Sequence, residues 1–344
     1  MTRQNPLWEL TLCRFREFAR EPEVIFWVFG FPVLLAVGLG IAFRDRPPEK
    51  IFVAVVSHPE APSIVERLKR VPAVNAEIQD PQQAASSLRL GKVALAVALG
   101  SGYEYRYDPT RPDSLLARSI VDSALQNAAG RQDPVKTIER AITEPGARYI
   151  DFLIPGLLGM NLMGGGMWGI GFVIVDMRIK KLLKRMIATP MRKIDFMLAM
   201  ILSRLAFMVA EVVLLLLVGR FAFGMIIQGS VASIVAVAFF GSMCFTGMGL
   251  LVSSRAQKIE TVSGLMNLVM LPMYVVSGVF FSAERFPRVL QPYIQSLPLT
   301  ALNDALRSVI LEGAHLATQG PHLAILALWG SLSFLLALRW FRWN

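Results

Sequence analysis

The stretch FLIPGLLGMNLMGGGMWGIGFVIV, residues 152–175, carries no charged side chain. A bilayer offers no water to unpaired backbone groups, so a helix of about 20 mostly apolar residues is the economical way to cross it. Residues 152–175 meet that requirement, and five other stretches do so as well: 24–43, 196–218, 231–252, 262–281 and 321–338. The last is the least convincing, because it opens on Pro321 and His322. Of the 344 residues, 54% are hydrophobic and 17% are charged, against about 25% charged in an ordinary soluble protein. That balance excludes a disordered, collagen-like or disulfide-scaffold chain. The fold class expected is a membrane all-α protein with six transmembrane helices.

Orientation follows from Lys and Arg in the short connecting segments. With the N-terminus in the cytoplasm, the inner segments 1–23, 176–195, 253–260 and 339–344 hold 15 basic residues. The short outer segments 219–230 and 282–320 hold 4. Both termini are therefore expected inside, with Trp340 and Trp343 at the inner interface. The net charge of +10 is explained by this anchoring, and no nucleic-acid partner is implied. Residues 1–20 are too charged for a cleaved signal peptide, so the first span is expected to remain. Residues 5–22 read as an amphipathic helix on the inner leaflet. Asn5 is placed to cap it and Pro6 suits its first turn. Trp8, Leu12, Phe15 and Phe18 recur at helical spacing opposite Arg16, Glu17 and Arg20.

Residues 44–150, between spans one and two, read as a small extracytoplasmic α/β domain. Strands are expected at 51–56, 74–78, 92–99 and 103–108, and helices at 62–70, 81–90 and 113–129. With 15 basic and 13 acidic residues, this insert has no strong field to select an ionic ligand. It suits gating or partner docking, or alternatively ligand sensing. In 282–320, Leu299, Leu302, Leu306, Val309 and Ile310 form one apolar face from Pro298 onward. That helix is too short to span and is expected to dip into the outer leaflet or pack on the bundle.

No GxxxxGK[ST] motif occurs, so no P-loop is recognisable; the LGK at 90–92 lacks the upstream glycine. No HExxH is present, His58, His315 and His322 do not cluster, and no spaced nucleophile and base are visible. Neither a metal site nor a bound cofactor is expected, and Cys13 and Cys244 imply no disulfide framework. Polar residues within spans are functional candidates by default. Arg204 and Glu211 share a helix face but are separated by roughly 10 Å of rise. They are expected not to pair directly, with Arg204 reaching toward the cytoplasm and Glu211 facing the bundle. Glu211 then holds either a structural partner or cargo. Asn161 and Asn267 are weaker candidates. Span two also holds Met160, Met163 and Met167, and a GxxxG pair at Gly165 and Gly169. Those glycines imply close helix packing or a hinge, and the methionines either core or an adaptable cargo surface.

The richest local signal is DMRIKKLLKRMIATPMRKIDFMLAM, residues 176–200. Leu182, Leu183, Met186 and Ile187 have helix-face spacing among Arg178, Lys180, Lys181, Lys184, Arg185, Arg192 and Lys193, and Pro190 ends or turns the helix. On charge alone this is either an inner anchor or a short helix that receives a push from a soluble partner.

This loop resembles the cytoplasmic loop of ABC-2 type transporter permeases, with a charged start, a Leu-rich middle and Ala188-Thr189-Pro190 before a basic pair. RFREFAREPEVIFWVFGFPVLL (14–35) and LQPYIQSLPLTALNDALRSVILEG (290–313) are similar to that family's opening helix with its first span, and to the segment before its last span. One departure is Lys180-Lys181, where the family usually has an acidic residue. The resemblance implies a bacterial inner-membrane permease subunit of an exporter, from the subset with an extracytoplasmic domain. Its coupling helix would lie within 178–191, engaging a separate ATPase through Lys181, Leu182, Leu183, Lys184, Arg185, Met186, Ala188, Thr189 and Pro190. The partners implied are two copies of an ABC ATPase subunit carrying ATP and Mg, a second permease chain in a homodimer or heterodimer, the lipid bilayer and a periplasmic adaptor as a further candidate. Sparse charge in the spans fits an apolar or amphipathic cargo, drug-like or lipid-like, moved by alternating access along a pathway that includes Glu211, Asn161, Met163, Gly165, Gly169 and Asn267. The alternative is a membrane receptor or sensor whose outside domain binds a ligand. Inner segments of at most 23 residues leave that reading without a signalling module.

Overall fold

The computed structural model describes residues 6–43, 50–100, 102–131, 148–187 and 193–340. The chain divides into two compact units, one of them Asp45–Ile142 and the other formed by Met1–Arg44 with Thr143–Asn344. The first helix, α1 (Pro6–Ala19), starts on a proline suited to a first turn. The cap expected from Asn5 lies outside the described residues. Phe15 meets Phe207 edge-on and Phe18 lies tilted against it, with ring centroids 5.1 and 4.2 Å apart. The face expected to lie in the leaflet is thus partly claimed by the protein, because aromatic rings pack better on one another than on mobile lipid tails. Trp8 on the same helix remains exposed.

The short α2 (Pro22–Ile25), a π-helical stretch Phe26–Gly30 and α3 (Phe31–Ala42) follow as one apolar helix, Pro22–Ala42. The irregular stretch lies just before Pro32, which has no N–H to return to the carbonyl of Val28.

The smaller unit follows in sequence: β1 (Ile51–Val56), α4 (Ala61–Lys69), β2 (Val74–Gln79), α5 (Pro81–Arg89), β3 (Leu95–Leu99), β4 (Tyr103–Arg106) and α6 (Pro112–Ala128). Strand order is β2-β1-β3-β4, with β1 parallel to β2 and β3 and β4 antiparallel to β3. The register sets Val53 beside both Ala76 and Leu95. Val53, Val55, Leu95 and Val97 form a core with Ile64, Leu68, Val121 and Leu125, while Ala54 and Ala96 on the opposite face pack with Ala84 of α5. A sheet covered on both faces needs apolar residues at successive positions, which explains the unbroken IFVAVV and LAVAL runs. The third strand begins at Leu95 rather than at Lys92, because Gly91 in a left-handed conformation and the residues after it turn the chain.

The larger unit continues with α7 (Tyr149–Ile179), α8 (Leu182–Ile187), α9 (Lys193–Leu217), a π-helical turn Val218–Ala222 and α10 (Val231–Ser253), whose first turn is capped by Ser230. Then come α11 (Ile259–Val276), α12 (Gln291–Gln295), α13 (Pro298–Glu312) and α14 (Gly320–Trp340). Among the described residues, six helices are long and apolar enough to cross a membrane: Pro22–Ala42, Tyr149–Ile179, Leu198–Ala222, Val231–Ser253, Ile259–Val276 and Leu316–Trp340. The chain is a mostly helical membrane protein with one small sheet. Helix α7 runs past the expected end at Val175, because the apolar face Ile170, Ile174 and Met177 stays buried to the next turn. Helix α11 stops at Val276 rather than Phe281, because Ser277 leaves the helix and Gly278 takes a left-handed conformation that ends it.

Helices α7 and α10 form the centre. They touch at glycines: a methyl on Gly166 would lie 2.7 Å from the Phe245 Cβ, and one on Gly249 would lie 2.8 Å from the Gly166 carbonyl oxygen. Helix α13 packs on the bundle, with Leu299, Leu302, Leu306, Val309 and Ile310 all fully buried. Its Arg307 stacks over the Phe152 ring at 3.7 Å and donates to the Gly278 carbonyl, pinning the start of α7 and the link after α11.

Candidate functional site

A cleft of about 650 Å³ lies among the helices of the larger unit. Trp27, Val28, Phe31 and Pro32 of the first apolar helix line one wall, and Met160, Asn161, Gly164, Gly165, Trp168 and Gly169 of α7 line another. Phe207 and Arg204 come from α9 and Tyr274 from α11. Arg14, Glu17, Glu21 and Asp176 also border the cleft. Arg14 pairs with Glu17 at 2.6 Å, and Lys180 pairs with Asp176 at 2.8 Å. The Asp176 carboxylate, hydrogen-bonded to Lys180, holds that ammonium above its ordinary value, helped by Glu17 and Glu21.

The expectation that Arg204 and Glu211 do not pair is corrected. Arg204 Nη1 and Nη2 donate to the two Glu211 carboxylate oxygens at 2.5 and 3.0 Å, and both side chains are buried. Seven residues bring them back to one face. The long arginine side chain runs along the helix axis and covers the separation. An unpaired charge there would carry a large desolvation cost, so pairing is the favoured outcome. Arg204 therefore does not reach toward the cytoplasm. It borders the cleft, while Glu211 sits behind it.

The GxxxG expectation also changes. A methyl on Gly165 would collide with the Arg204 guanidinium, whereas Gly169 has nothing within 4 Å of such a methyl. Gly165 makes room for a side chain, and Gly169 opens onto the cleft. The glycine-mediated helix contact is one residue along, at Gly166. Asn161 Nδ2 donates to the Val28 carbonyl at 3.1 Å, the acceptor that Pro32 cannot serve. The cleft thus brings together Asn161, Gly165 and Gly169, with Glu211 behind them. It does not include Met163, which is fully buried in the core, or Asn267, which is exposed on α11. Sequence patterns missed Trp27, Trp168, Phe207 and Tyr274, because nothing in an apolar run marks which aromatic faces a cleft. Asn161 was readable as a polar residue within a span.

Below the cleft, α8 forms an elbow between α7 and α9. Lys181 takes a left-handed conformation at φ 57°, which reverses the chain after α7. Leu183 is 1% exposed and belongs to one apolar cluster with Ile170, Ile174 and Met177 of α7, Met200 of α9, Leu250 of α10 and Ala337 of α14. Leu182 is half-buried against the same cluster, and Lys184 and Arg185 are exposed. Arg178 is not part of an outward basic face. Its guanidinium donates to the Ser253, Ser254 and Ala256 carbonyls and braces the end of α10. Helix α8 extends to Ile187; the Met186 side chain and residues Ala188, Thr189 and Pro190 lie outside the described residues. Among the described residues no cluster of metal-ligating side chains occurs.

Among the described residues, six apolar helices, a cleft within the bundle and a short basic elbow define a multi-pass membrane protein. The chain belongs to the ABC-2 family transporter proteins, whose family model matches residues 22–339. It is 21% identical over 357 residues to the probable multidrug ABC transporter permease YbhR of Escherichia coli, covering 95% of this chain and 97% of that one. It is 26% identical over 224 residues to ABC transporter G family member 20 of Dictyostelium discoideum, covering 64% of this chain but only 30% of that longer protein. Against the inner membrane transport permease YhhJ of Escherichia coli it is 23% identical over 173 residues, half of this chain and 46% of that one. The chain is accordingly an ABC-2 type permease subunit, and its family implies an ABC ATPase as partner.

Proposed function

We propose that this permease moves an apolar or amphipathic cargo, drug-like or lipid-like, out across the bacterial cytoplasmic membrane by alternating access. Two copies of a separate ATPase subunit hold ATP and Mg, and a second permease chain, identical or related, completes the pathway. Both termini and the α8 elbow face the cytoplasm, and the Asp45–Ile142 unit faces outward. Closure of the ATPase pair pushes α8, and the push reaches the bundle through Leu183. Differential affinity of the closed ATPase for ATP supplies the bias between states.

The observation that carries this reading is the position of Leu183. The buried Leu183, with Leu182 half-buried beside it, seats this short helix in an apolar cluster that also holds residues of α7, α9, α10 and α14, while the adjacent Lys184 and Arg185 are exposed. A mere charge anchor has no need of that linkage. The exposed pair is the partner-facing surface, and the buried leucine is the transmission. Lys184→Glu with Arg185→Glu is expected to leave the chain folded and to abolish its co-purification with the ATPase. Undiminished ATPase recovery and cargo-stimulated turnover in that variant would exclude the elbow as the coupling site.

A further inference from the structure

We infer that the cleft takes an amphipathic organic cation. This rests on the proposed reading of the cleft as the cargo site and adds the sign of the cargo's charge. Three features agree. The walls are aromatic, with Trp27, Phe31, Trp168, Phe172, Phe207 and Tyr274 bordering one space, and aromatic faces attract cations most strongly where water is excluded. The border holds three carboxylates, Glu17, Glu21 and Asp176. Arg14 and Lys180 occupy two of them through partly exposed pairs, which are weak and exchange readily. Among the described residues Glu21 has no ion-pair partner. In a chain of net charge +10, this border is a local excess of acid.

The third feature is the interior cation. Among the described residues, Arg204 is the one basic residue inside the cleft beyond its border, and Glu211 cancels its charge through two hydrogen bonds. No net positive charge therefore remains to attract an anion. Arg204 Nε is nonetheless buried and has no hydrogen-bond acceptor among the described residues. A ligand oxygen would relieve that unmade bond. The cargo class assigned is a cation with an apolar, ring-bearing body and a carbonyl or ether oxygen. An anion of the same shape meets the carboxylate border and finds no compensating charge within.

The test uses tetraphenylphosphonium and tetraphenylborate, which share a shape and differ in sign. Each is titrated into the purified full-length chain in neutral detergent, with micelles alone as the blank. The phosphonium is expected to bind about tenfold more tightly than the borate. In a Glu17→Gln, Glu21→Gln, Asp176→Asn variant that difference should fall to near parity, with the thermal midpoint confirming a folded chain. A phosphonium bearing a phenacyl arm should bind more tightly than its benzyl counterpart, which lacks the carbonyl. Equal or tighter binding of the borate, or a preference that survives in the triple variant, overturns the assignment. Binding is read without an ATPase, so the two readings fail separately. Loss of cation preference alongside ATPase stimulation by uncharged cargo would reject the charge assignment alone. Cation preference with no cargo-stimulated ATPase would instead strike the exporter reading.

Discussion

Arg204 and Glu211 place two opposite charges inside an apolar bundle, and each is tolerable only because the other is there. Removing one partner strands a buried charge, which costs about 3–5 kcal/mol, whereas replacing both with apolar residues of similar volume is often neutral. Arg204→Met and Glu211→Leu, each alone, should therefore lower the thermal midpoint sharply. The double variant Arg204→Met, Glu211→Leu should recover most of the loss, and melts of the four chains in one detergent measure the coupling. If the double variant is as unstable as the sum of the singles, the pair does not act as a unit. Gly165, which lies against Arg204, and Gly169, which opens onto the cleft, make a second contrast at this scale. Gly165→Ala drives a methyl into the guanidinium and should destabilise, whereas Gly169→Ala meets open space and should gain about 0.5–1 kcal/mol from helix propensity. Equal effects at the two positions would show that the seat of Arg204 is not where the structure puts it.

At the scale of elements, the elbow is the place where local conformation and packing pull against each other. Lys181 holds a left-handed conformation that costs a residue with a side chain about 1–2 kcal/mol, and the burial of Leu183 keeps it there. Lys181→Gly relieves that cost and should raise the thermal midpoint slightly. Under the proposed function, the same change should weaken ATPase stimulation, because a freer joint transmits less of a push. Leu183→Asp should destabilise the bundle outright by burying a lone carboxylate. A melt combined with ATPase turnover in the reconstituted complex separates the two variants. Unchanged turnover in the glycine variant would mean that rigidity at this joint is irrelevant to coupling. The length rule located all six spans, because length and apolarity are what the bilayer demands. It overran α11, since Gly278-Val279-Phe280-Phe281 is apolar but the left-handed glycine, not polarity, ends the helix.

For the whole molecule, what the sequence revealed and what it hid divide along the distance between interacting residues. The strands of the smaller unit were readable, because IFVAVV and YEYRY carry their pattern within a few neighbours. The cleft was not, because Trp27, Trp168, Arg204 and Tyr274 come from four helices and nothing local links them. Glu211 stood out as a polar residue in a span, but only the fold shows that Arg204 can reach it. The two-unit division leads to a last prediction. The Asp45–Ile142 unit has its own core of Val53, Val55, Ile64, Leu68, Leu95, Val97, Val121 and Leu125, closed by helices on both sheet faces. At about 100 residues it falls within the size range of independently folding domains. Its charge is nearly balanced, and its buried side chains meet one another. Expressed alone in water, residues 45–142 should be monomeric, show mixed helix and strand circular dichroism and melt in one cooperative transition. A fragment that aggregates or melts without cooperativity would mean that the core depends on the rest of the chain, and the unit would then have to be treated as part of the transport machinery rather than a module attached to it.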